Sequence, residues 1–368
     1  MEQNWVFNNF ICKELYAPFH VEKDVEYFGD LHKKYNILKK QAKNSGADSI
    51  SIKIIDKYTD KIYRALNSYY NGKISSSHQI IKNFIKDCMD DRLAVSSINQ
   101  SEAFPGDKGD ELQLFRARVS NDLLGFKAKE MLHLPLTERG KTGNYRFSIP
   151  GIPSLYLGNS SYACWIETGR PSDHEFNVSP VLLDGEQKIL NLAVIMRDLR
   201  CLNEGEEGRV FTWLKLLILM IATSYIVDEK DRTFKSEYIV SQSIMLACKE
   251  LGLDGVAYYS KRVSDELFAI AAVNLALFTS YKKNEEYSDL CKHLKIDNSF
   301  NFSLYEKLNL SLKYKEYDLR IGRTEYTTNI GQYERQYPYI ETQFYGFDKF
   351  IYSSWKDKDK LLWGNAVN

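Results

Sequence analysis

The chain carries no net charge: 49 Lys and Arg face 49 Asp and Glu over 368 residues. That balance removes the long-range attraction typical of nucleic-acid binders, so any anion site has to be a local cleft. Its six cysteines, at 12, 88, 164, 201, 248 and 291, form no Cys-x-x-Cys pair. This argues against a zinc cage or a disulfide framework and for reduced, buried thiols. The six histidines, at 20, 32, 78, 133, 174 and 293, make no His-Glu-x-x-His spacing, and no metal is expected. No Gly-x-x-x-x-Gly-Lys-Ser/Thr loop occurs, and no Gly-x-Gly-x-x-Gly opens a helix, which counts against kinase-like and dehydrogenase-like chemistry. Met1 to Trp5 lack the charged and apolar parts of a secretion signal, so a cytoplasmic location is expected. The one long hydrophobic run, Phe211 to Val227, holds Lys215 and follows Glu204, Glu206 and Glu207. It reads as a buried helix rather than a membrane span.

What is present is material for a core: 44% hydrophobic and 13% aromatic residues. From about residue 10 to 100, apolar residues recur three or four apart, as in Val25 to Ala42 and Ile55 to Tyr70, which predicts helices; Ser75 to Ser77 read as a helix start. Gln100 to Glu111, with Pro105, Gly106 and Gly109, is the expected boundary. Short strand-like runs follow near 114–119, 154–157, 180–183, 188–194, 255–259 and 269–278, with helical patterns near 160–168, 211–227 and 236–251. This order predicts an α+β domain rather than an alternating parallel sheet. A charged helical stretch is expected beyond 280. The tyrosine-rich segment Tyr326 to Trp355 is expected to pack on the core, with cleft cover or an oligomer surface as the other readings.

Several residues could carry chemistry. In Leu114-Phe115-Arg116-Ala117-Arg118-Val119, alternation puts both arginines on one face. Arg116 would serve a salt bridge, an edge-strand surface or a phosphate, whose oxygens match a guanidinium in two-pronged fashion. Arg146 opens Arg-Phe-Ser-Ile-Pro-Gly-Ile-Pro-Ser-Leu-Tyr-Leu-Gly after a polar loop, Thr137 to Asn144. Tyr156 in that run could stack on a base or simply fill the core. Glu167 ends an otherwise small and apolar helical run; it would pair with Arg146 or Arg170, or stabilise an oxocarbenium-like ribosyl cation. Ser260 follows the apolar strand Gly255 to Tyr259. It is a turn serine or a ligand-positioning hydroxyl, and lacks the Gly-x-Ser-x-Gly elbow of a hydrolase.

Taken in order, Arg116, Arg146 with Arg-Phe-x-x-Pro-Gly-x-Pro-x-Leu-Tyr-Leu, Tyr156, Glu167 and Ser260 resemble the RES family over residues 111–280, a catalytic domain. Ser236 to Gln242 and the strand ending Asn274 to Phe278 add to the likeness. The resemblance implies a fold similar to ADP-ribosyltransferases and an attack on NAD+ as substrate, with no cofactor. Arg116 and Arg146 would bind the pyrophosphate, Tyr156 would stack near nicotinamide, Glu167 would stabilise the ribosyl cation, and Ser260 would position the ligand. Residues 1–110 resemble helical HEPN-like domains. They lack the Arg-x(4–6)-His motif of HEPN ribonucleases, since neither Arg64 nor Arg92 has such a histidine. Residues 281–368 form the tyrosine-rich extension.

The first expectation is therefore an NAD+-degrading toxin or defence enzyme that cleaves the nicotinamide glycosidic bond with water or phosphate. Protein ADP-ribosylation is the alternative, and a non-catalytic nucleotide-sensing or partner-binding module the third reading. A cognate antitoxin is the partner the family implies, and homodimerisation is left open. No nucleic acid and no membrane are expected.

Overall fold

The amphipathic periodicity of the first hundred residues resolves into three helices, α1 (Tyr27–Asn44), α2 (Ser49–Tyr70) and α3 (Ile74–Lys86). The computed structural model describes residues 12–23, 26–104, 112–193, 207–227, 232–263, 272–282, 285–309, 329–332 and 335–355. Helix α2 begins where the Asp48 carboxylate accepts from the Ser51 N–H at 2.7 Å, satisfying a donor the first turn would leave open. On α1 the buried residues Tyr27, Leu31, Tyr35, Leu38 and Ala42 form one stripe.

That stripe meets α5 (Glu207–Thr223), which shares one apolar cluster with α1 to α3 and with α6 (Ile239–Glu250). Leu31, Ile62 and Phe84 join Trp213, Leu217, Ile244 and Val256 in a single apolar cluster. Tyr27 and Tyr35 donate to the carbonyls of Ala222 and Ile218, each at 2.8 Å. Helix α5 is the hydrophobic run foreseen from sequence, buried on nearly every side. Its Lys215 reaches out to the Asp87 carbonyl at the end of α3, 2.8 Å away, where a helix end favours a cation. Among the described residues no helix is long and apolar enough to cross a membrane.

One nine-stranded sheet organises the rest. Its strands are β1 (Val95–Ser97), β2 (Leu112–Val119), β3 (Ser154–Gly158), β4 (Phe176–Leu183), β5 (Lys188–Asn191), β6 (Gly255–Tyr259), β7 (Val273–Phe278), β8 (Leu294–Ile296) and β9 (Phe300–Asn301). The order is β1-β5-β6-β7-β3-β2-β4-β8, with β9 also on β4. Only β5 and β6 run parallel among these pairs; the others are antiparallel. All eight residues of β4 are buried, as a strand covered on both faces requires. The mixed architecture agrees with the α+β expectation.

The structure differs from the sequence reading at both ends of the sheet. Strand β1 comes from the helical front segment, and the region beyond 280, expected to be helical, supplies β8 and β9 before the short helix α7 (Phe302–Asn309). Strands of two or three residues are too brief to show a period.

Helix α8 (Gln343–Ser354) lies in the tyrosine-rich segment, whose residues 326–328 and 333–334 fall outside the described ones. Phe347, Ile351, Tyr352 and Trp355 pack with Phe115, Phe176 and Phe302, and the Tyr352 hydroxyl lies 2.6 and 2.7 Å from the carbonyl oxygens of Leu114 and Val181. Asp348, fully buried, accepts from the Ser161 N–H at 3.1 Å and from the Tyr339 hydroxyl. It thereby caps α4 (Ser161–Glu167) from outside that helix.

Burial pushes the Asp348 carboxyl up to about 7 from an ordinary 3.8. The folded chain therefore holds this proton more tightly than the unfolded chain. The contribution is complete below the unfolded value and is lost as pH rises through the folded one. Asp348→Asn keeps an acceptor for Ser161 and cannot ionise. Relative to the parent it should gain roughly 3–4 kcal/mol as pH goes from about 4 to 8. Urea unfolding at the two pH values measures this, and a pH-independent difference would contradict it.

Candidate active site

Arg146 precedes a tight turn in which the Ile152 N–H donates to the Ile149 carbonyl at 2.9 Å. Pro150 and Gly151 occupy the two central positions, and Gly151 has φ +82°. These are the residues a type II turn demands, because its third position needs a positive φ. The turn sends the chain back along β3, which pairs with β7 and carries Tyr156 opposite Ala276. At the end of β3, Gly158 lets α4 approach: a Cβ there would come within 3.0 Å of the Ala163 Cβ and 2.9 Å of the Cys164 Sγ. Helix α4 starts on Ser160, whose hydroxyl accepts from the Ala163 N–H at 3.0 Å, and places Glu167 in its last turn. A carboxylate gains nothing from the helix dipole at that end.

These elements enclose a cavity of about 330 Å³ lined by Arg116, Arg146, Tyr156, Glu167, Tyr258 and Lys261, together with Tyr225, Tyr238, Arg262 and Asn274. Among the described lining residues Glu167 is the sole carboxylate. It accepts from the Asn274 side-chain amide at 2.8 Å, and the Arg262 guanidinium stands 3.9 Å off. Its ion-pair partner is thus neither of the two arginines, 146 and 170, considered from sequence.

The cations are held by backbone carbonyls. Arg116 donates to the carbonyls of Tyr156 at 2.8 Å and Leu132 at 3.3 Å, and Arg118 shares the Leu132 carbonyl at 3.2 Å. Burial, with Arg118 beside it, lowers the Arg116 pKa to about 9, so it stays charged at neutral pH. Arg146, buried to 9% exposure, donates to the carbonyls of Thr223 and Tyr259 at 3.1 and 3.0 Å. Its guanidinium lies 4.1 Å from the centre of the Tyr258 ring. Lys261 donates to the Tyr225 carbonyl, and burial next to Arg146 pulls its pKa well below the usual lysine value. None of Arg116, Arg118 and Arg146 has a carboxylate within ion-pair distance among the described residues. A buried cation without an anion is costly, and a bound anion would relieve that cost.

Four of the five residues singled out from sequence, Arg116, Arg146, Tyr156 and Glu167, line this cavity. Ser260 does not. Its hydroxyl accepts from the Arg262 N–H at 3.2 Å, its own N–H donates to the Ala272 carbonyl, and it is buried next in sequence to Lys261 and Arg262, which do line the cavity. The polar loop before Arg146 is pinned rather than open. Gln242 donates to the Asn144 side chain at 2.7 Å and to the Ser148 carbonyl at 3.2 Å. Asn274 was not weighed as a site residue; its signal was an amide inside the otherwise apolar strand β7. Lys261, a lysine directly after Ser260, has no sequence signal of its own. Among the described residues no group of three His, Cys, Asp or Glu converges to hold a metal.

The RES domain model matches residues 114–291, so the chain contains a RES domain. The putative toxin YopC of Bacillus subtilis (strain 168) is 27% identical over 272 residues, 70% of this chain and 57% of that protein. The chain thus spans a little over half the length of this curated relative. A protein in the crystal structure of the M. tuberculosis MbcT-MbcA toxin-antitoxin complex aligns with 62% of this chain and 97% of its own length. Its identity is 14% and its TM-score 0.31, a likeness too loose to bear on fold or function.

The carbonyl contacts make Arg146 structural as well as electrostatic. Arg146→Met strips the donors from the Thr223 and Tyr259 carbonyls and should cost roughly 2–4 kcal/mol of folding stability. Arg262→Met, at a half-exposed position, should stay within about 0.5 kcal/mol of the parent. Denaturant midpoints compare the two, and equal effects would overturn this division.

Proposed function

We propose that this chain, with its RES domain over residues 114–291, is an NAD+-consuming toxin that breaks the bond between nicotinamide and ribose. One observation carries the reading: among the described lining residues Glu167 is the sole carboxylate, in a cavity whose wall also carries Arg116, Arg146, Arg262 and several tyrosine rings. A pyrophosphate needs the cations. The reacting sugar needs the carboxylate, because positive charge gathers on the ribose ring as the bond stretches.

The reaction needs no general acid. As the C1–N bond breaks, its electron pair goes to the ring nitrogen and neutralises the pyridinium, so nicotinamide leaves without accepting a proton. Water or phosphate then attacks the ribosyl carbon; water gives ADP-ribose and a released proton, phosphate gives the 1''-phosphate. Glu167, oriented by Asn274, stabilises the cation. Arg116 and Arg146 supply the field for the pyrophosphate, and Tyr156 offers its ring near nicotinamide. Ser260 acts without lining the cavity, by fixing the backbone that presents Lys261 and Arg262. The N-terminal helices, HEPN-like in make-up, serve as a buttress to this site. A toxin of this kind acts in the cytoplasm, where NAD+ is available, and calls for a cognate antitoxin that occludes the cleft. The name of the Bacillus relative, putative toxin, is consistent with that reading.

Purified chain incubated with NAD+, with and without phosphate, should release nicotinamide, as resolved by chromatography. Glu167→Gln should lower the rate by about a hundredfold or more while retaining NAD+ binding. Equal turnover by parent and variant would sink the assignment of Glu167. Transfer of ADP-ribose to a protein without free product would favour the transferase alternative.

A further inference from the structure

A second cavity, of about 440 Å³, adjoins the first and shares Arg116, Tyr145 and Tyr156 with it as common walls. Its remaining lining includes Arg118, Phe126, Lys141, Thr142, Ser148 and Ser154. Its polar groups are short of partners. The Arg116 Nε, Arg118 Nε, Thr142 Oγ1 and Ser154 Oγ atoms are all buried without a hydrogen-bond partner. Such atoms are rare in folded proteins, and several around one cavity indicate groups that water or a ligand satisfies. Ser154 is a buried residue at the start of β3, so its hydroxyl is held by the sheet rather than by a loop.

The size and chemistry narrow the ligand. A volume of about 440 Å³ falls in the range of small-molecule sites, roughly 300–1,000 Å³, whereas a bare phosphate would leave most of it empty. The Arg118 guanidinium lies 5.8 Å from the centre of the Phe126 ring, and together they offer planar faces on which a purine stacks. Three hydroxyls suit a ribose. Arg116, on the shared wall, and Lys141, at the exposed rim and 3.0 Å from Glu138, suit phosphates.

We propose that this second cavity is a nucleoside-monophosphate subsite, which takes the adenylyl half of the dinucleotide whose nicotinamide ribose meets Glu167. The inference rests on the NAD+ reading for the identity of the ligand's other half. Arg118 is then a specificity-determining residue, remote from the reacting bond, and the dinucleotide lies across Arg116 with its pyrophosphate at the shared wall.

AMP itself is the probe, titrated into the full chain by calorimetry. It should bind the parent and Glu167→Gln alike, and Arg118→Met should weaken it tenfold or more. Lys141→Glu, an exposed change that leaves the fold alone, should weaken it severalfold and keeps the test decisive if Arg118→Met does not fold. No AMP binding to the parent, or affinities within twofold for both variants, would overturn the subsite. Nicotinamide release from NAD+ is followed in parallel. Its absence would count against the glycosidic-cleavage reading alone, because the AMP titration needs no turnover.

Discussion

Positive charge buried against backbone carbonyls governs this molecule's site. Arg116, Arg118 and Arg146 draw on the carbonyl oxygens of Tyr156, Leu132, Thr223 and Tyr259, and Lys261, whose own charge burial disfavours, donates to that of Tyr225. Those oxygens belong to β3, to the loop before it, to the ends of α5 and β6, and to the segment after α5. A carbonyl dipole offsets part of the desolvation of a cation, but less than a carboxylate would. The folded chain therefore holds a cleft whose field favours an anion, at the cost of stability that burial elsewhere provides.

Both ends of the chain contribute to that arrangement. Tyr27 of α1 meets Tyr225 edge to face at 4.9 Å, and the Tyr225 hydroxyl donates to Asp30 at 2.9 Å. Tyr225 lines the cavity and its carbonyl holds Lys261, so the helical front segment fixes one wall of the site. At the other end Asp348 caps α4, the helix that carries Glu167. His133 joins Leu132 to the region around residue 290: its ring donates to the Leu134 carbonyl at 2.8 Å and accepts from the Ser288 N–H at 3.2 Å. Burial lowers its pKa to about 4, which keeps it neutral and its tautomer fixed at physiological pH. The Leu132 carbonyl shared by two arginines is thereby held in place.

Much of the local architecture was legible in the sequence because its causes are local. Pro150-Gly151 specifies its turn by φ alone, Arg116 and Arg118 share a face by strand alternation, and Lys215 marks α5 as a buried helix. Glu167 stood out as a carboxylate in an apolar run. What could not be read depends on register and packing. Asn274 meets Glu167 because β7 pairs with β3 and brings Asn274 opposite Gly158. Ser260 is absent from the cavity lining, which follows from how the chain turns after β6. The stripe on α1 announced a buried face without naming α5 as its partner, and the second cavity arises only when residues 116–126 and 141–156 come together.

The most direct test of the account is the structure of the chain bound to a dinucleotide whose nicotinamide bond cannot break, such as a carbocyclic NAD+ analogue. The account predicts the nicotinamide ribose ring against Glu167 and Asn274, the pyrophosphate over Arg116, and the adenosine beside Arg118 and Phe126. A dinucleotide bound elsewhere, or one whose ribose faces away from Glu167, would contradict it.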